Sequence, residues 1–180
     1  MTDDQGFDLV AHEPAWRTQF DEESIKLSHA LIVTQSRIAH IGSTVVPGLM
    51  AIPAIDVMVG VERYPPTPAF VAPLDSLAYT PCGERGLPGR LHYIKRGAIC
   101  FDLHLTQFGN RLWSRSLMLR DYLAANVDAA VAYAQRKREM LAASKADPAI
   151  YARLKAPLLA QLLDEAARWK PAPLPPSAKA

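Results

Sequence analysis

The sequence predicts an α+β fold: a mixed β-sheet flanked by helices, with a helical C-terminal part. Two runs with period-2 alternation supply the strands. One is Ile55-Asp56-Val57-Met58-Val59, and the other is Phe101-Asp102-Leu103-His104-Leu105-Thr106; each sets apolar residues on one face and its polar ones on the other. The helices show as apolar residues at helical spacing from Ala15 to about Ile32 and through most of 112–169. With 180 residues and an apolar fraction of 49%, one domain with a sizeable core is expected over 1–169. The proline-rich stretch Lys170-Pro171-Ala172-Pro173-Leu174-Pro175-Pro176 predicts a disordered tail over 170–180.

Taken in order, Phe7–Ala11 alternates like a short strand and ends at Glu13-Pro14. The helix after it places Trp16, Phe20, Ile25, Leu27 and Ala30 among acidic and basic residues, with Trp16 as a core anchor. Arg37–Ile41 is a second strand running into a Gly42-Ser43 turn. Three prolines break regular structure over 62–70, and a short helix follows through Ala72–Leu77, beginning near Pro73. Residues 79–84 are weakly strand-like, and Arg85-Gly86-Leu87-Pro88-Gly89-Arg90 is a flexible basic loop. Leu91–Lys95 and Ile99–Thr106 are strands joined by an Arg96-Gly97-Ala98 hairpin turn. The C-terminal part reads as helices over 112–125 and 129–143, with a break at Asn126 and Val127-Asp128. A third helix opens at Asp147-Pro148, an N-cap followed by proline at the first helical position, with a kink near Pro157 on its way to Trp169.

Chemistry is expected around His40-Ile41-Gly42-Ser43-Thr44. Gly42 permits close backbone approach to a ligand, while the Ser43 and Thr44 hydroxyls and nearby N–H groups offer neutral donors to phosphoryl oxygens. His40 is a candidate phosphate contact or a strand-end imidazole satisfied by the backbone. Asp56 interrupts an apolar strand, and a carboxylate there is costly to bury unless it is paired or binds a metal. Asp102 and His104 share one face of the later strand, either as a solvated polar stripe or as partners of Asp56. Arg90 is a candidate anion ligand in its loop. Arg120, Lys137 and Lys155 accompany Tyr122, Tyr133 and Tyr151, so that a ring stacks on a base while a cation meets phosphate; the alternative is a solvated helix face with buried stems.

The formal net charge is +2, from 20 basic and 18 acidic residues, which gives no electrostatic case for bulk nucleic-acid binding. Cys82 and Cys100 lack zinc-site spacing. No signal peptide and no membrane-length apolar run is evident, so a cytoplasmic protein without membrane contact is expected.

Gly42-Ser43, an intervening loop and then the strand Asp56 resemble the core signature of the nucleotidyltransferase superfamily that includes DNA polymerase beta. More narrowly, His40–Leu49, Pro53–Val57, Leu103-His104-Leu105, Trp113, Leu119–Leu123, Tyr133 with Lys137, and Tyr151 with Lys155 resemble the bacterial GrpB family in order and rough spacing. The resemblance implies a polymerase-beta-like nucleotidyltransferase fold, and occurrence alone or fused to dephospho-coenzyme A kinase. Three departures stand out. Ile52-Pro53 replaces the usual Lys-Pro; Asp102-Leu103-His104 replaces His-Leu-His; and Met58 sits where active superfamily members carry a second acid. Two-metal phosphoryl transfer uses several carboxylates. The expectation is therefore a GrpB family protein that transfers a nucleotidyl group from a nucleoside triphosphate to a small-molecule acceptor. Mg²⁺ or Mn²⁺ would be held by Asp56, Asp102 and His104, which are also the catalytic candidates, and His104 is either a metal ligand or a general base. The alternatives are a degenerate nucleotide- or anion-binding module and an accessory domain linked to coenzyme A metabolism.

Overall fold

A computed structural model describes residues 8–170. Its centre is a mixed five-stranded sheet in the order β1-β2-β5-β4-β3. The strands are β1 (Ile38–Ile41), β2 (Ala54–Val61), β3 (Thr80–Pro81), β4 (Arg90–Lys95) and β5 (Cys100–Gln107). β2 and β5 run parallel at the centre, and every other pairing is antiparallel. The long connection between β2 and β5 contains two single-turn helices, α2 (Pro68–Val71) and α3 (Pro73–Ser76), and the β3–β4 edge.

The two faces of the sheet are chemically different. Ile55, Val57, Val59 and Val61 of β2, Phe101, Leu103 and Leu105 of β5, and Tyr93 of β4 form one buried cluster with Trp16, Phe20, Leu27 and Leu31 of α1 (Ala15–Leu31). Fully burying a side chain such as Leu103 stabilises the fold by about 1.5–3 kcal/mol, so this face fixes the strand register. α1 ends where Ile32 takes a left-handed conformation, φ 53°. One charge lies under this layer: Glu23, 1% exposed, accepts from Tyr79 Oη at 3.1 Å and from Lys95 Nζ at 2.8 Å. Burial pushes the Glu23 carboxyl up, but Lys95, Lys26 and Tyr79 outweigh it and hold it below its ordinary value.

The opposite face carries the polar alternates and is covered by the C-terminal helices α4 (Arg111–Ala125), α5 (Val127–Ser144) and α6 (Pro148–Arg168). Asn110 caps α4 by accepting from Trp113 N at 2.8 Å, which aims Trp113 at Ala39, Ile41 and Met58. Asp147 caps α6 by accepting from Ala149 N and Ile150 N. Val46 and Leu49 of the loop after β1 join Leu123, Ala130, Tyr133 and Leu162 in a separate core. Helices and loop are thereby locked together above the sheet.

Several sequence-based boundaries are corrected. Phe7 lies outside the described residues, and Val10 contributes only an isolated antiparallel bridge to Ala51. Arg37 belongs to a single 3₁₀ turn, Gln35–Arg37, ahead of β1. The stretch 79–84 shortens to Thr80–Pro81, and Arg90 is the first residue of β4 instead of part of a loop. The break between α4 and α5 is Asn126 alone, because Asn126 Nδ2 donates to Tyr122 O at 2.7 Å while α5 resumes at once. α6 continues through Pro157, its losses limited to the N–H that proline lacks and the carbonyl one turn earlier. Of the proposed tail, residues 171–180 lie outside the described residues.

Candidate functional site

Register builds the site. Parallel pairing sets Asp56 directly opposite Asp102 and Met58 opposite His104. Since β2 and β5 are hydrogen-bonded neighbours, both carboxylates leave the same face, about 4.8 Å apart at the backbone. Their side chains are 31% and 23% exposed. His104 Nε2 lies 3.0 Å from Asp56 Oδ1. Asp102 Oδ1 accepts from Arg96 Nη2 at 2.7 Å. Burial alone would push the Asp102 carboxyl up; His92 and Arg96 overcome that and bring it down to about 2.

The turn after β1 closes on these acids. Gly42 has φ +77°, and a Cβ built there would lie 2.0 Å from Asp56 Oδ2. Only glycine lets this backbone both take a left-handed conformation and press against the carboxylate. Ser43 and Thr44 line a cleft of about 530 Å³ with Asp56, Asp102, Arg96, Lys137, Tyr151 and Lys155 among its walls. Ile52 and Pro53 line it too, so the position where the GrpB pattern has lysine does face the cleft, but as an apolar side chain.

The cations come from the helical roof. Lys137 on α5 is 1% exposed, donates to the Met50 carbonyl and lies 4.9 Å from the Tyr133 ring centroid. Burial, with help from the charge of Lys155 and against the pull of Asp56, pushes its ammonium down to about 7. Lys155 on α6 sits over the Tyr151 ring at 5.8 Å. The Tyr133 oxygen beside it, more than offsetting burial, holds Lys155 above the ordinary lysine value. Two neighbouring amines are thus pushed in opposite directions, Lys137 down to about 7 and Lys155 up.

Of the residues singled out in the sequence, Gly42, Ser43, Thr44, Asp56, Asp102, His104, Lys137 and Lys155 are brought together. His40 is not. It alternates to the α1 face, stacks on Phe20 at 4.6 Å and offers Nε2 to Thr44 Oγ1 at 2.9 Å. Burial lowers His40 to about 4, so it is neutral at pH 7 and acts on the turn from behind. Arg120 is engaged with Asp121 Oδ1 at 2.7 Å and the His40 carbonyl at 3.4 Å, away from the cleft lining. Arg90 lies on the cleft face two rows from Asp102, donating to Glu84 O at 3.3 Å, and it does not line the cleft. Tyr133 and Tyr151 are both 4% exposed, and Tyr122 donates to Glu165 Oε2 at 3.2 Å. Tyr122 and Tyr133 are therefore packed into the helical roof, while Tyr151 lines the cleft with its ring under Lys155.

Among the described residues, no group of three or more His, Cys, Asp or Glu side chains is arranged to hold a metal ion. The donor chemistry fits one hard divalent cation. Two carboxylates in register present oxygen ligands, and Mg²⁺ is commonly held by one or two carboxylates with substrate phosphates and water completing its shell. Met58, on the same strand face as Asp56, is 2% exposed and packed with Trp113. Also among the described residues, no helix is long and apolar enough to cross a membrane.

Fold and site define an α+β protein whose mixed sheet offers paired acids to a cleft roofed by lysine-bearing helices. The chain belongs to the GrpB family, whose description, GrpB protein, matches residues 7–165. It is 30% identical to the UPF0157 protein YqkA of Bacillus subtilis over 91% of this chain and 48% of that protein, so it spans about half of that relative's length. It is 31% identical to a UPF0157 protein of Deinococcus radiodurans, over 91% of this chain and 84% of the relative. The crystal structure of conserved protein GrpB from Enterococcus faecalis superposes with a TM-score of 0.76 at 30% identity, covering 88% of this chain and 96% of that one.

Proposed function

We propose that the cleft binds a nucleoside triphosphate together with one Mg²⁺ or Mn²⁺ and transfers its nucleotidyl group to a small acceptor, in the manner of the polymerase-beta-like superfamily. The observation that carries this reading is the parallel register of Asp56 with Asp102 beneath a Gly42 backbone pressed onto the Asp56 carboxylate. Asp56 and Asp102 would hold the cation, which supplies charge neutralisation and polarisation of the phosphoryl oxygens. Ser43 and Thr44 hydroxyls and turn N–H groups receive phosphate oxygens, and His40 orients Thr44 from the other face. Lys155, held charged, faces the phosphates in place of the lysine absent at Ile52. The acceptor oxygen attacks the α-phosphorus, the bond to pyrophosphate breaks, and the acceptor proton passes to the Nζ of Lys137, which is partly neutral near pH 7 and lines the cleft. His104 stands behind Asp56 and orients it.

A second reading, nucleotide binding without turnover, is favoured by the Arg96 guanidinium on Asp102 Oδ1 and by the apolar burial of Met58. The two readings separate in one assay. Protein, Mg²⁺ or Mn²⁺, labelled nucleoside triphosphates and a metabolite pool should release pyrophosphate, and Asp56→Asn should reduce release to background. No release with any nucleotide leaves binding alone, and undiminished release in Asp56→Asn removes Asp56 from the mechanism.

A further inference from the structure

His92 on β4 stands beside the acids. The antiparallel register of β4 and β5 sets it opposite His104, and the two rings stack with centroids 5.0 Å apart and planes 10° apart. One row along the sheet, Asp56 and Asp102 are themselves opposite one another. His104 Nε2 reaches Asp56 Oδ1 at 3.0 Å, and His92 Nε2 approaches Asp102 Oδ1 at 3.6 Å. Two stacked imidazoles thus back two adjacent carboxylates in the same order.

The state of His92 is costly as it stands. Its side chain is 7% exposed, and neither ring nitrogen makes a hydrogen bond of normal length, Nε2 coming only within 3.6 Å of Asp102 Oδ1. A buried imidazole left unpaired is disfavoured relative to an apolar residue of the same size. The carboxylate within ion-pair distance is Asp102, whose Oδ1 is occupied by Arg96 from the hairpin turn. Asp102 Oδ1 lies 3.6 Å from His92 Nε2, just beyond hydrogen-bond length.

We infer that His92 is a positioning residue for Asp102. Its Nε2–H donates to the carboxylate when Arg96 gives way, so that each acid of the cation site is held from behind by an imidazole. This rests on the cation reading above. A neutral imidazole protonated on Nε2 suffices, and no change of charge is involved. Partners of this kind orient metal-ligating groups, and their removal commonly costs about 10- to 100-fold in metal affinity.

The test is a titration of the full chain with Mn²⁺ alone, read by the electron paramagnetic resonance signal of free Mn²⁺. His92→Phe keeps a flat ring stacked on His104 but removes the donor; His92→Gln breaks the stack but retains an amide donor. The expected result is that His92→Phe loses about 10- to 100-fold in affinity while His92→Gln stays within a few-fold of the parent. Parent-like affinity in His92→Phe, or equal losses in both variants, overturns the inference and leaves the cation reading in place. Absence of Mn²⁺ binding by the unsubstituted protein overturns both.

Discussion

The two faces of the central sheet solve opposite problems with alternate residues of the same strands. On the α1 face, Ile55, Val57, Val59, Leu103 and Leu105 are almost wholly buried among Trp16, Phe20, Leu27 and Leu31, an arrangement that any apolar set of the right volume approximates. On the cleft face the same strands present Asp56, Asp102 and His104, and β4 adds His92. These groups lower the stability of a fold unless something binds them. The apolar face fixes register tightly, and that register places costly polar groups opposite one another.

The largest expected effect separates the faces directly. Leu103→Ala, at a fully buried position, should cost about 2–5 kcal/mol in chemical denaturation and leave the protein's stabilisation by Mg²⁺ and nucleotide unchanged. Asp102→Asn should cost only about 1 kcal/mol and remove that stabilisation. If both variants lose stability and ligand response together, the division of labour between the faces is wrong.

A smaller effect isolates the contact between turn and strand. Gly42 and Gly48 both have positive φ, but an added Cβ meets Asp56 at Gly42 and nothing within 4 Å at Gly48. Each alanine substitution should cost more than about 1 kcal/mol for its backbone conformation. Only Gly42→Ala should also abolish nucleotide-dependent stabilisation, measured by thermal unfolding with and without ligand. Equal ligand response in the two variants would remove the turn from the site.

The last effect lies in the roof and shows only as a change of stability with pH. Lys137 is lowered to about 7 in the folded protein, from an ordinary 10.5, so the unfolded chain binds more protons than the folded one between those values. Stability contributed at this position is therefore lowest below pH 7 and rises with pH up to about 10.5. Lys137→Met should flatten that rise, by roughly 2–4 kcal/mol between pH 6.5 and pH 10, when urea denaturation of parent and variant is compared. Parallel pH profiles would show that Lys137 is not held partly neutral.

Much of this architecture was legible because period-2 alternation is a property of the chain itself. It placed Asp56 on one strand face and Asp102 with His104 on one face of another. The parallel pairing that brings the faces together depends on the crossover through α2, α3 and β4, which no local pattern encodes. His92 was hidden by register: a turn of Arg96-Gly97-Ala98 alone would pair Lys95 with Ile99 and His92 with Asp102, whereas the strands pair Lys95 with Phe101 and His92 with His104. His40 is a different case. Next to Ile41 on the site face, it must point to the other, and the chemical appeal of a histidine beside a Gly-Ser turn hid that. The i, i+4 spacing of Tyr133 with Lys137 and Tyr151 with Lys155 set each pair on one helix face, but spacing cannot say that the face turns inward. The tyrosines consequently became packing rings under their lysines.

The central claim is that the cleft face takes up a polyphosphate through a divalent cation held by Asp56. Thermal unfolding of the unsubstituted protein and Asp56→Asn, each with nucleoside triphosphate alone, Mg²⁺ alone and both together, tests it most directly. At a ligand concentration one hundred times the dissociation constant, the unsubstituted protein should gain about 2.7 kcal/mol with both present and much less with either alone, while Asp56→Asn gains nothing. An equal gain in Asp56→Asn, or a full gain without the cation, would contradict the account.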